Sequence, residues 1–414
     1  MLVPAKSVAV MCVSVLVTMF CVDVSASPLC SNLFEIVNPA AFNSNTIRQL
    51  HEWEIIPLLE GSVQPRAESR VRAVNVPKSS VEIVMADTSS AMALEQVLGA
   101  ATETIPYLQH PYNQDSRVPH FGEPTQFFTR AKHTASRSLL VELKGRVFSV
   151  KLPTDYPMGS TQYREGGKSN MVHDAWYSIE RTKLIMSVDK NLQPDPHFVV
   201  LKEVLSVIDR QTKNGYVFRD MSSLREDKYY LPAHALPVVG KEIASKQDAD
   251  YHRFWSKHWA ARMGVVQARL LIRYGLEPLG TNPQNYLIEL DKALAPTGRI
   301  FWRDVADSTI VIPIASRIGL SKAVEADLAH DKGDRWGVRE RVRADNETLT
   351  WLFPRDVKSW RRAHDEAYAK VLKQELGFTV TSGRPLSESI NEDLALGDQS
   401  MLLKAIVRWH RNHR

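Results

Sequence analysis

Two oxygen-bearing side chains near the middle of this 414-residue chain have a spacing that suits metal chemistry. Residues 275–291 read Gly-Leu-Glu-Pro-Leu-Gly-Thr-Asn-Pro-Gln-Asn-Tyr-Leu-Ile-Glu-Leu-Asp, and residues 298–304 read Gly-Arg-Ile-Phe-Trp-Arg-Asp. Residues 286–290 and 300–303 have strand character on either side of a turn expected at Pro296-Thr-Gly298. In an antiparallel hairpin the start of the first strand lies beside the end of the second. Asn285 and Asp304 are therefore expected to meet as two hard oxygen donors. Mg²⁺ takes one or two such oxygens and completes its shell with phosphate and water. Glu277, just ahead of the loop, is the candidate base or further contact to the metal shell, and Asp304 is assigned to both the metal and the catalytic set.

A phosphate-handling site also needs cations. Lys151 closes an earlier strand, and Glu180 falls on the helix that follows, so Glu180 is expected to hold Lys151 against the phosphates of ATP. Between them, Gly159-Ser-Thr-Gln-Tyr-Arg-Glu-Gly-Gly-Lys168 offers hydroxyls, glycines and two cations, so Ser160, Arg164 and Lys168 are candidate nucleotide contacts. The order lysine, glutamate, asparagine, aspartate is that of protein-kinase-type sites, which use ATP with Mg²⁺. The plainer alternatives stand beside it. Asn285 and Asp304 are common turn residues, Lys151 and Glu180 would suit a surface pair, and Arg164 and Lys168 a solvated loop. Gly167-Lys168-Ser169 is not a Walker A motif, because Gln162 occupies its first glycine position.

The elements needed to position these residues are visible in the periodicities. Residues 138–143 and 146–152 alternate around Lys144-Gly145 as a hairpin, and residues 172–187 have helical spacing. Residues 249–274 read as one long amphipathic helix stopped by Gly275. Helices are also expected over 354–376 and at the basic carboxyl end. Before the hairpin, residues 46–59 and 90–101 have helical spacing, and 106–124 is polar with four prolines, which reads as a linker. The expected organisation is an α+β fold: a helical extension (27–115), a β-rich lobe (116–240) and a helical lobe (241–414), the two lobes forming a protein-kinase-like core.

Lys151-Leu-Pro, Ser160-Thr-Gln-Tyr-Arg164, Leu231-Pro-Ala-His-Ala-Leu, Glu277 with Gln284-Asn285, and Arg303-Asp304 together resemble the aerobactin-type siderophore synthetases over roughly residues 140–310. The resemblance implies a kinase-like palm and fingers, and use of ATP and Mg²⁺ to adenylate a carboxylate before amide formation. It implies that Lys151, Ser160 and Arg164 contact ATP phosphates, and that Glu277, Asn285 and Asp304 surround the metal and nucleotide. The family usually reads Glu-x-His-x-Gln-Asn. Here Glu277 stands eight residues before Asn285 with no histidine between, and the kinase base position, five before Asn285, is Gly280.

Composition narrows the remaining choices. The chain is 44% hydrophobic and 24% charged, as globular proteins are, and its net charge of +5 with scattered cations does not point to nucleic acid. Residues 1–26 read as a secretory signal: Lys6, an apolar run from Ser7 to Val22, and Val24-Ser-Ala26 before the cut. The alternative is an uncleaved anchor, for which the run is short. Cleavage would leave Cys30 alone, which excludes an internal disulfide and a cysteine-ligated zinc site. The expectation is an exported ATP-dependent transferase or carboxylate-adenylating ligase with an unidentified protein or small-molecule acceptor. The rival is a non-catalytic pseudoenzyme that binds and does not turn over.

Overall fold

The computed structural model describes residues 68–98, 103–111, 126–133, 138–143, 145–153, 175–225, 227–278, 283–330, 337–344 and 357–414. The expected signal (1–26), the helical pattern at 46–59 and the phosphate loop with Ser160, Arg164 and Lys168 lie outside the described residues. The fold is mixed α+β.

Six strands come first: β1 (Glu68–Pro77), β2 (Val81–Met85), β3 (Thr104–Gln109), β4 (Gln126–His133), β5 (Ser138–Leu143) and β6 (Arg146–Lys151). After β7 (Phe198–Val200) come β8 (Glu203–Asp209) and β9 (Gly215–Asp220). All of these except β7 form one eight-stranded sheet in the order β2-β8-β9-β6-β5-β4-β1-β3, with every pairing antiparallel. Two helices cover its faces. Leu94 in α1 (Thr88–Val97), and Leu98 just beyond it, pack with Val141, Phe148, Val150, Tyr216 and Phe218 on one side. Ile179 in α2 (Ala175–Asp189) packs with Ile208 and Val217 on the other.

The expected hairpin is present, turning through Gly145 at φ 76° with Ser138 opposite Lys151. The expected helical extension and linker are corrected. Residues 68–77, 81–85 and 104–109 are strands of the same sheet, and Pro106 sits within β3 opposite Asn75. A proline has no N–H to give a second neighbour, which suits it to an edge strand, and β3 is the sheet's edge. The helical pattern near Ser90 persists, as α1.

The second half carries β10 (Tyr229–Pro232), β11 (Leu276–Pro278), β12 (Tyr286–Leu290), β13 (Pro296–Trp302), β14 (Ser308–Val311) and β15 (Val338–Arg339). One sheet runs β10-β12-β13-β7 and another β11-β14-β15. Around them lie α3 (Lys241–Lys246), α4 (Tyr251–Trp255), α5 (Ala261–Tyr274), α6 (Ile312–Arg317), α7 (Ser321–His330), α8 (Val357–Leu376), α9 (Leu386–Leu394) and α10 (Met401–His413). The long helix read from sequence is α4 and α5 joined by a π-turn at Ser256–Ala260. It starts at Asp250, whose side chain accepts from the Arg253 N–H at 2.9 Å, and ends at Gly275 in the left-handed conformation, φ 61°. Gly264 lets α5 approach α8, since a Cβ there would collide with the His364 carbonyl oxygen.

Two contacts join the sheets. The Leu201 N–H donates to the Trp302 carbonyl, and the Asp220 N–H to the Lys202 carbonyl, both at 2.8 Å. A buried pair fastens α2 to α7: Arg181 Nη1 is 2.9 Å from Asp327 Oδ1 and its Nη2 2.5 Å from Oδ2, with a further bond to the Gly337 carbonyl at 2.8 Å. No helix among the described residues is long and apolar enough to cross a membrane.

Candidate active site

The hairpin β12–β13 forms as its sequence requires, with Tyr286 opposite Trp302. Its turn lies at 291–295 rather than at Pro296-Thr-Gly298. The Asp291 carboxylate accepts from the Ala293 and Ala295 N–H groups, each at 2.9 Å. Pro296 already belongs to β13, and Gly298, at φ 90°, sits where the register shifts. The open end of the hairpin is closed by the Arg303 N–H donating to the Asn285 carbonyl at 2.8 Å.

Asp304 follows immediately. Its φ of 64° puts it in the left-handed region, which Asp and Asn enter more readily than other residues with a side chain. The carboxylate meets Lys151 at the end of β6: Nζ lies 2.9 Å from Oδ1 and 2.8 Å from Oδ2. Asn285 is buried, and its Nδ2 donates to Asp307 Oδ2 at 2.8 Å. The Asp307 N–H in turn donates to the Asp304 carbonyl at 3.1 Å. Lysine, aspartate and asparagine from opposite halves of the chain are thus gathered at one junction, with Asp307 as a further carboxylate.

Behind Lys151, on the same face of the large sheet, stands a pair that sequence reasoning missed. Arg219 of β9 is opposite Ser149 of β6 and opposite Glu203 of β8. Its Nη2 is 2.5 Å from Glu203 Oε1 and 3.9 Å from Asp304 Oδ1. The Glu203 N–H donates to Thr182 Oγ1 of α2 at 3.1 Å. Both side chains are almost fully buried, yet Glu203 Oε2 and Arg219 Nε have no hydrogen-bond partner. Unpaired buried polar atoms are rare and cost stability, so they mark a place where something other than packing sets the residue choice. The signal was available: Glu203 and Arg219 are charges inside otherwise apolar strands, Glu-Val-Leu-Ser-Val-Ile and Gly-Tyr-Val-Phe-Arg.

Two expected roles are revised. Glu180 does not meet Lys151; it pairs with Lys183, one helical turn away, at 2.5 Å. The face of α2 turned to the sheet carries Ala175, Ile179 and Thr182, and a residue next to Ile179 is rotated by about 100° from that face. Glu277 is buried, and its carboxylate accepts from the Arg343 N–H at 2.9 Å and from the Ala344 N–H. It anchors the 343–344 backbone to β11. Among the described residues no group of three or more His, Cys, Asp or Glu side chains is arranged to hold a metal. A cation here would rest on a mixed set, the Asn285 amide with the Asp304 and Asp307 carboxylates.

No protein-family model matches the sequence, and no curated protein does. Solved structures match. The petrobactin biosynthesis protein AsbB of Bacillus anthracis str. Sterne superposes with a TM-score of 0.51 over 84% of this chain and 61% of its own, at 12% identity. The aerobactin synthetase IucC from a hypervirulent pathotype of Klebsiella pneumoniae gives a TM-score of 0.50 over 82% of this chain and 70% of its own, at 14% identity. The fold is therefore like that of the aerobactin-type synthetases, over more of the chain than the 140–310 stretch where motifs resemble theirs. The chain spans less than two thirds of the length of the petrobactin protein.

Proposed function

We propose that this protein uses ATP with Mg²⁺ to transfer an adenylyl or phosphoryl group to an acceptor, with carboxylate adenylation the nearer analogy. The observation that carries this reading is the contact of Lys151 with Asp304 beside Asn285. A phosphate–metal unit is itself a pair of opposite charges. It can replace the Lys151–Asp304 contact by giving its anion to the lysine and its cation to the aspartate. The donor set fits: amide and carboxylate oxygens suit Mg²⁺, and lysine suits phosphate. Asp304 and Asn285 would hold the metal, Lys151 would neutralise phosphate charge, and Arg219, steadied by Glu203, would keep Asp304 oriented. The bound metal and nucleotide would supply an activated phosphorus centre and charge neutralisation for the leaving group. Ser160, Arg164 and Lys168 are proposed to contact the phosphates. The β-rich first part and the helix-rich second part are proposed to act as two kinase-like lobes with this junction between them. Residues 1–26 are proposed to export the chain.

One observation favours the binding-only alternative. Glu277 is tied to backbone amides, and residue 280 is glycine where a kinase would carry its base.

Thermal melting of the purified protein with ATP, with Mg²⁺ and with both tests the nucleotide reading. A ligand at 100 times its dissociation constant adds about 2.7 kcal/mol of stability. The expected result is a shift of a few degrees that requires both ligands and disappears in Asp304→Ala. Unchanged melting under all conditions rejects the nucleotide reading. A shift without ATP turnover across a panel of carboxylate and amine acceptors selects the binding-only alternative.

A further inference from the structure

Three arginines of α5 share one stripe. Arg269 and Arg273 follow Arg262 by seven and eleven residues, which at about 100° per residue keeps all three within roughly 40° of arc. Two of them are matched with carboxylates. Arg269 Nη1 is 2.7 Å from Asp195 Oδ2, and its Nη2 bonds Glu375 of α8. Arg273 Nη2 is 3.4 Å from Asp189 Oδ1 at the end of α2, and its Nη1 is 3.8 Å from Asp195 Oδ2. Arg262 makes no ion pair or hydrogen bond among the described residues.

The Arg262 guanidinium is nonetheless held in place. It lies against Gly298 of β13, where an added Cβ would stand 3.1 Å from Nη2, 3.2 Å from Cζ and 3.5 Å from Nε. The guanidinium thus turns its flat face to that strand and keeps its N–H edge for another partner. The adjoining π-turn adds cations. Its bonds span five residues rather than four, so one turn before Arg262 falls between Lys257 and His258. Such turns recur at functional sites. Neither Lys257 nor His258 has an ion pair or hydrogen bond among the described residues. Lys257 is exposed, and Arg262 and His258 are half-buried.

No carboxylate offsets this group. Burial holds His258 below the usual imidazole range, and the charges of Lys257 and Arg262 lower it further. His197, just ahead of β7, is also lowered by burial first, then by Arg269 and Arg262, with Asp195 alone acting against them. Asp195 is already shared by Arg269 and Arg273. Near neutral pH the group therefore carries two fixed positive charges, on Arg262 and Lys257, without a matching carboxylate among the described residues.

We propose that Arg262, Lys257 and His258 form a second binding site, for a small oxyanion with two negative charges. The edge of Arg262 takes one oxyanion group through paired N–H bonds, Lys257 balances the remaining charge, and His258 flanks the ligand. A guanidinium fork matches carboxylate and phosphate alike. The site is separate from the nucleotide junction: Gly298 lies four residues, about 13 Å, back along β13 from Trp302, and Asp304 lies beyond.

The test is calorimetric titration of the full chain with inorganic phosphate and with succinate. Slightly alkaline pH makes both probes dianions, and sodium chloride holds the ionic strength constant. Expected is saturable binding of at least one probe, weakened roughly ten-fold or more in Arg262→Gln. The tighter probe identifies the source, phosphate or dicarboxylate. Lys257→Gln should weaken binding too, and Lys151→Met should leave it unchanged. Lys257 is exposed, so its variant tests the site even if Arg262→Gln is unstable, and melting curves show whether each folds. Absence of saturable binding of either probe up to about 10 mM, the range of very weak ligands, overturns the proposal. So does binding that both variants retain in full, or binding lost in Lys151→Met alone, which would put the anion at the nucleotide junction.

Discussion

Lys151 Nζ touches both carboxylate oxygens of Asp304, at 2.9 and 2.8 Å, across 153 residues of chain. The lysine ends a strand of the eight-stranded sheet, and the aspartate follows a strand of another. Each is only partly exposed, 12% and 14% of the side chain, so the pair is screened less than a surface bridge.

That contact should show up as coupling. Lys151→Met and Asp304→Asn are each expected to lower stability by about 1–3 kcal/mol, the range for removing a charged hydrogen-bond partner. The double variant should lose less than the sum, with a coupling of roughly 0.5–3 kcal/mol. Asn tolerates the left-handed conformation at position 304, so the substitution removes charge without backbone strain. Urea unfolding of the four proteins measures the cycle, and strict additivity would show that the pair does not form in solution.

Burial separates two ion pairs that look alike on paper. Arg181 and Asp327 are each about 1% exposed, and Arg181→Ala strands a buried carboxylate; about 3–5 kcal/mol should be lost. Arg317 and Asp398 also pair, but at 48% and 83% exposure, and Arg317→Ala should change stability by no more than about 0.5 kcal/mol. Denaturation midpoints of the two variants give the comparison, and a similar loss in both would contradict it.

Glu277→Gln distinguishes a structural carboxylate from a catalytic one. The amide can offer only one oxygen to the Arg343 and Ala344 N–H groups, so stability should fall by about 1–3 kcal/mol. Any ATP- and Mg²⁺-dependent turnover should persist below the new melting point. Abolished turnover in a variant of parental stability would return Glu277 to the role of base.

Stability should decline in mild acid. Burial holds His410 below the usual imidazole range, partly offset by its Nε2 contact with the Ile272 carbonyl at 2.9 Å, and burial acts likewise on His197, His258 and His330. The unfolded imidazoles titrate near about 6.5. Between the folded and unfolded values the unfolded chain binds more protons, so stability rises with pH through that window. Going down in pH, stability should be full above about 7, fall below 6.5, and level off once the folded groups also protonate. His410→Gln, which still donates to Ile272, should give a shallower fall in melting temperature between pH 7 and 5.5. An unchanged slope would mean that His410 does not titrate with unfolding.

Much of the positioning framework was legible in the sequence because it is local. The 138–151 hairpin, the 286–302 hairpin and the helix stopped at Gly275 each rest on alternation, turn residues or a cap within a short window. The meeting of Asn285 with the Arg303-Asp304 end followed from hairpin geometry alone. What was illegible depends on rotation and on distance in sequence. Glu180 was placed on the right helix, but one residue away from the face turned to the sheet. Lys151 found its carboxylate 153 residues further on, and no local pattern reports that. The strands before residue 110 were obscured because Pro106, at a sheet edge, looks like a linker proline until the edge is known. Glu203 and Arg219 needed the strand order before their facing positions could be seen.

The short passage from β7 through Leu201 and Lys202 into β8 has a mechanical consequence. Both residues are bonded to neighbouring strands through their main chain, so the connector has no slack. The four-stranded and eight-stranded sheets are geared together at that point like two plates sharing a rivet. A tilt of one would be felt by the other at its first residue, Glu203, and so by Arg219 and Asp304.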